Sequence, residues 1–158
     1  DIKRDIFYTL AYTGVRASEL WKGTIKEDRD GIWYLDLTDR NIKLKTKSSH
    51  RVIPLHCELI TKGIHLRLPN AINSIKQRII LDNFSIRIRP QVVDSPRKVL
   101  YSMRHTVATE LKYLGVDSLI ISELLGHAHS GMTMGRYASR YPLKVLKEAI
   151  DKLKFNRE

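Results

Sequence analysis

Apolar side chains at Ile2, Ile6, Phe7, Leu10 and Ala11 recur at helical spacing, and Gly14 follows as a left-handed stop, so residues 2 to 12 are predicted to form a helix. "RASELW" (16–21) starts a second, short one. From Thr24 to Leu55 the period changes to two: Trp33, Leu35 and Leu37 alternate with their neighbours, and Ile42 and Leu44 alternate with Lys43 and Lys45. The turn-like stretches "EDRDG" (27–31) and "TKSSH" (46–50) punctuate this region, which predicts a three-stranded antiparallel meander with "RVIPL" as its last strand.

Residues 57 to 84 read as helical, with "LPN" (68–70) dividing them. Prolines 90 and 96 argue for a basic connector over 85–99. Leu100, Met103, Val107, Leu111 and Leu114 then mark a helix that stops before Gly115. Asp117 or Ser118 caps the next helix, which runs through Leu125 to Gly126. Residues 126–140 are small, polar and turn-prone, and Pro142 opens a last amphipathic helix over 142–154. The expected fold class is mixed α/β and mainly helical, with helices around a small three-stranded antiparallel sheet.

Composition changes the picture mainly through charge. The 158 residues hold 28 Lys plus Arg against 17 Asp plus Glu, a net charge of +11. A folded domain this basic points to nucleic acid ahead of an anionic membrane or an acidic protein. Hydrophobic residues make up 42% of the chain, enough for a real core. Cys57 is the single cysteine, which rules out an intrachain disulfide framework or a cysteine-rich zinc module. No apolar run approaches a membrane span, and "DIKRDIFYTL" is charged throughout, unlike a signal peptide.

Four stretches offer chemistry. In "YSMRHTVATEL" (101–111), Tyr101 and Arg104 share one face of a first helical turn, beside unpaired N–H groups. A guanidinium there can grip two phosphate oxygens; the plainer reading is a surface arginine beside a half-buried tyrosine. In "YTGVRASEL" (12–20), Arg16 has its direction set on both sides, although an ordinary ion pair with Glu19 explains it equally well. "RNIKLKTKSSHR" (40–51) carries five cations, Arg40, Lys43, Lys45, Lys47 and Arg51, and no acid. Such a hairpin can track a phosphate backbone, and one of its lysines can protonate a leaving oxygen. "LLGHAHSGMTMGRYASRY" (124–141) supplies His127, His129, Arg136, Tyr137 and Tyr141. His127-x-His129 has no nearby carboxylate or cysteine to complete a metal set, so no metal and no cofactor are expected.

In this order, "TGVRASEL", a lysine-bearing hairpin, "RHTVATEL", "LLGH" and a following tyrosine resemble the successive motif boxes of the tyrosine recombinases, the phage-type integrases. The resemblance spans about Tyr12 to Tyr137 and implies that residues 1–158 are a catalytic domain without the N-terminal DNA-clamping domain such enzymes carry. It implies that Tyr137 attacks a DNA phosphodiester to give a 3′-phosphotyrosyl link, while Arg16, Arg104 and His127 hold the phosphate. Lys45 would be the general acid to the 5′-oxygen, with Lys47 the second choice. Lys43, Lys47, Arg51 and Arg136 are the expected DNA contacts. The implied partners are double-stranded DNA and further copies of the chain, a tetramer on paired sites, in the cytoplasm of a bacterium. The final helix is the candidate for docking on a neighbouring copy. One departure stands out: Tyr101 occupies a position that is most often histidine in the family. Two other readings remain, a catalytically impaired integrase remnant that only binds DNA and a type IB topoisomerase-like enzyme.

Overall fold

In the computed structural model, which describes residues 1–92, 95, 97–127 and 141–155, helices surround a small antiparallel sheet. Helix α1 (Ile2–Thr13) begins at Asp1, whose carboxylate accepts the Lys3 N–H, and ends at Gly14 with φ 63°. Helix α2 (Ala17–Leu20) follows, and strands β1 (Thr24–Glu27), β2 (Trp33–Asp36) and β3 (Val52–Pro54) pair in that order. Ile25, Leu35 and Ile53 lie side by side across the strands, giving the sheet an apolar row to set against the helices.

The meander has a different middle from the one its periodicity predicts. The three strands lie before, between and after the two expected turns, but the alternation at Ile42–Lys45 forms no strand. The Asp39 carboxylate takes the Asn41 N–H, the Asp39 carbonyl takes the Ile42 N–H, and a 3₁₀ turn follows at Lys47–Ser49. These local turns use backbone groups that a strand would need. The alternation of exposure survives without the strand, with Ile42 and Leu44 packed on the core and Lys43, Lys45 and Lys47 exposed.

Helices α3 (Cys57–Thr61), α4 (Ile64–Ser74) and α5 (Gln77–Asn83) come next. The breaks fall at Gly63, with φ 63°, and at Ile75, while Pro69 sits inside α4. Ile64, Leu68 and Ala71 are buried on one face of α4, which packs along α1, and that burial outweighs the backbone bond Pro69 cannot make. The expected connector after Asn83 is helical as far as Val92, through a π-helical turn (Phe84–Ile88) and helix α6 (Arg89–Val92). Ile80, Phe84 and Ile88 continue one apolar stripe, and the helical run passes through Pro90 although that residue has no N–H for the preceding turn.

Helix α7 (Ser102–Tyr113) stops before Gly115, and α8 (Ser118–Leu125) is capped by Asp117, whose carboxylate accepts the Leu119 N–H at 2.7 Å. Helix α9 (Leu143–Ile150) lays Leu146, Ala149 and Ile150 on β3 and α8. That apolar face therefore packs within the chain. The buried side chains form one contiguous cluster, in which a fully buried leucine contributes about 1.5–3 kcal/mol. Among the described residues no helix is long and apolar enough to cross a membrane.

Candidate active site

The chain turns sharply after α1, and Arg16 lands as the residue that starts α2. Its N–H donates to Glu19 Oε2 at 3.0 Å, and its Nη1 donates to Glu19 Oε1 at 2.5 Å and to Ser49 Oγ at 3.3 Å. The ion pair with Glu19 is present but is no surface event, because Glu19 is only 2% exposed and holds a second arginine. Arg51 Nη2 donates to Glu19 Oε2 at 3.1 Å, its Nε to the Leu124 carbonyl at 2.8 Å, and its Nη1 to the Ser49 carbonyl at 2.9 Å. Arg51 is itself 2% exposed, so this expected DNA contact is an internal strut. Burial pushes the Glu19 carboxyl up, but the Arg51 charge and the hydrogen bonds from Arg51 and Arg16 outweigh it and hold it below its ordinary value.

Arg104 reaches the same place from the first turn of α7. It is buried; its Nη1 donates to the Gly14 carbonyl at 2.9 Å and its Nη2 to the Leu125 carbonyl. Those carbonyls, like that of Leu124, belong to the ends of α1 and α8, where unpaired C=O groups carry partial negative charge. Two arginines thus stitch the end of α8 to the end of α1 and to the 3₁₀ turn. The joint is tight. A Cβ on Gly126, which has φ 65°, would stand 2.7 Å from Arg51 Nη1 and 2.8 Å from the Ser48 carbonyl.

The local charge does not balance. Among the described residues three guanidiniums, Arg16, Arg51 and Arg104, face one carboxylate, Glu19. Burial, and then the Arg16 and Arg51 charges, lower Arg104 to about 10. His127 is held below its ordinary value by burial and then by repulsion from Arg104, Arg16 and Arg51. Arg104 Nε is buried without a partner among the described residues. Arg16, Tyr101 and Arg104 line one cleft of about 200 Å³, with Leu10, Val15 and Leu81 among its apolar walls. An anion in this region would relieve the excess charge.

The remaining expected residues divide. His127 follows Gly126, and its N–H donates to the Ser122 carbonyl at 2.9 Å, closing α8, while its side chain, partly desolvated by the cluster, still reaches solvent. Tyr101 is 46% exposed, with its ring edge-on to His105 at 5.3 Å. Lys43, Lys45 and Lys47 are exposed on a loop tied to the cluster by Ser48 Oγ, which donates to the Gly126 carbonyl at 3.1 Å, and by Ser49. Tyr137, Arg136 and His129 lie outside the described residues. Glu19, the hub of the cluster, was visible in the sequence only as an ion-pair partner for Arg16. Its sharing with Arg51, 32 positions away, leaves no local signal. Searches with this chain find no matching family model, no matching curated protein and no matching solved structure.

Proposed function

We propose that this chain cuts and rejoins DNA strands at specific sites through a covalent phosphotyrosyl intermediate, as a tyrosine recombinase or integrase does. The observation that carries the reading is the excess of guanidinium over carboxylate around a cleft shared by Arg16 and Arg104, at positions matching the family's arginine pair. In phosphoryl transfer negative charge spreads over the equatorial oxygens, and fixed guanidiniums answer it without reorganising. The phenolic oxygen of Tyr137 would bond to phosphorus as the bond from phosphorus to O5′ breaks. The phenolic proton leaves to solvent or a neighbouring base, and Lys45 protonates the departing oxygen. The ester energy is kept in the phosphotyrosine, so religation needs no nucleotide cofactor. DNA is the partner in this reading, with several copies of the chain, a tetramer on paired sites, acting in the cytoplasm where that DNA lies.

A nicked suicide substrate, from which the 5′ fragment diffuses away, tests the proposal. A protein–DNA adduct that survives denaturation and disappears in Tyr137→Phe is the expected result. Binding to the attachment site without any adduct would overturn catalysis and favour a DNA-binding remnant, with Tyr101 the first residue to examine. Relaxation of supercoils without sequence preference or synapsis would favour the topoisomerase reading.

A further inference from the structure

Away from the arginines, the start of α3 meets the end of α9, and the residues that join them are a different set. We propose that His56, Cys57 and Asp151 form a site for a borderline-soft divalent cation, zinc foremost, that clasps these two helices together. Their ligand atoms lie within 4.8 Å of one another.

The histidine is already arranged as a ligand. The Glu58 backbone N–H donates to His56 Nδ1 at 3.0 Å, so Nδ1 carries the lone pair and Nε2 carries the proton, which is donated to the Leu153 carbonyl at 3.0 Å. A second nitrogen anchored on a backbone carbonyl is how metal-bound imidazoles are commonly oriented. Cys57 Sγ lies 3.7 Å from that Nδ1. Tetrahedral zinc, with bonds of about 2.3 Å to sulfur and about 2.0 Å to nitrogen, sets such a pair about 3.5 Å apart. Asp151 is held alongside, since its Oδ1 accepts the Cys57 N–H at 2.8 Å. A cleft of about 220 Å³ bordered by Tyr12, Glu58 and Phe155 gives the site an opening and room for water as a fourth ligand.

A cation already sits on the carboxylate. Lys147 Nζ donates to Asp151 Oδ1 at 2.7 Å and to Oδ2 at 2.6 Å. The metal takes over that role: the lysine moves to solvent, the Glu58 N–H releases Nδ1, and the thiol S–H breaks as the sulfur–metal bond forms, its proton going to solvent. Thiolate, imidazole and carboxylate together suit zinc or cobalt(II) over magnesium or calcium. The residues are distant in sequence, 94 positions between Cys57 and Asp151, so the metal closes a long loop.

Cobalt(II) titration of the untagged chain, without DNA, tests this apart from any strand-transfer activity. A thiolate-to-cobalt charge-transfer band saturating at one metal per chain, and bleached by zinc, is expected. Any such band belongs to Cys57, the chain's single cysteine. Cys57→Ser, checked for folding by circular dichroism, abolishes the band and weakens zinc at least about tenfold, as does Asp151→Asn. Lys147→Gln strengthens zinc binding severalfold by freeing the carboxylate. No band, one metal per two chains, unchanged zinc affinity in Asp151→Asn, or weaker binding in Lys147→Gln would each overturn the proposal.

Discussion

The arginine cluster and the lysine loop are both rich in cations, but the molecule treats them in opposite ways. Arg51 and Arg104 are buried, and each of the two holds at least two backbone carbonyls; Glu19 binds two guanidiniums at once. Lys43, Lys45 and Lys47 stand exposed on a loop with no strand to fix them. A planar guanidinium with five donors can satisfy several helix-end carbonyls and still present charge, whereas an ammonium on a flexible stem works best in water. The cations held in place by buried partners are therefore arginines here, and those left in water on the loop are lysines.

The contrast can be broken at Glu19. Replacing it by glutamine leaves Arg16 and Arg51 facing each other without their carboxylate, and should lower stability by about 3–5 kcal/mol in urea melts at neutral pH. The same variant tests the acid limb. Because the folded Glu19 carboxyl sits below its ordinary 4.5, its contribution is full above that pH and is lost as pH falls through it and below. Glu19→Gln should flatten that decline. A wild-type-like melt would show that the pair contributes little.

Gly126→Ala is next in size. Strain at φ 65° and a Cβ crowding Arg51 and Ser48 should together remove about 2–3 kcal/mol and loosen the serine tether of the lysine loop. Thermal unfolding measures the first effect, and hydrogen exchange of residues 46–49 the second.

His127 sharpens the comparison without any mutation. Its imidazole titrates below its ordinary value because burial and three arginines disfavour a further proton. An anion among the arginines should move it upward, and titration by NMR with and without a short DNA duplex reads the shift directly. A pKa that stays put with DNA bound would argue against phosphate in this region.

The smallest effects belong to the loop. Lys43→Ala, Lys45→Ala and Lys47→Ala should each change stability by less than about 0.5 kcal/mol. Each lysine that contacts a phosphate should lower the slope of log affinity against log salt by about 0.9. Under the proposed strand-cleavage reaction, a cleavage assay would separate the general acid from the other two. The variant lacking it should recover when the leaving O5′ is replaced by sulfur, which departs without a proton, and the other two variants should not need that rescue.

Local rules read much of this chain well. The stops at Gly14 and Gly126, the Asp117 cap and the apolar stripe of α7 follow from propensities acting within a few residues. They failed where packing outweighed a local preference. Pro69 and Pro90 read as breaks, yet Leu68 and the Ile80–Phe84–Ile88 stripe keep those segments helical. The alternation at Ile42–Lys45 read as a strand, since exposure alternates there whether or not a partner strand exists. The candidate site was legible as an ordered set of residue types, and Arg16, Tyr101 and Arg104 do share a cleft.

By itself, then, the sequence determined the basic character of the chain, the ends of its main helices, the helical-plus-sheet class and the order of arginine, lysine, arginine and histidine along it. Only the tertiary structure decided which cations are buried and which are exposed. Arg51 and Lys47 lie four positions apart in one basic run, but only the arginine points at Glu19 and the end of α8. The same holds for His56, Cys57 and Asp151, which become neighbours only when α9 settles on β3. The physical reason is common to both: burial of a charge or assembly of a ligand set depends on partners 32 to 94 residues away, and no periodicity records a contact at that range.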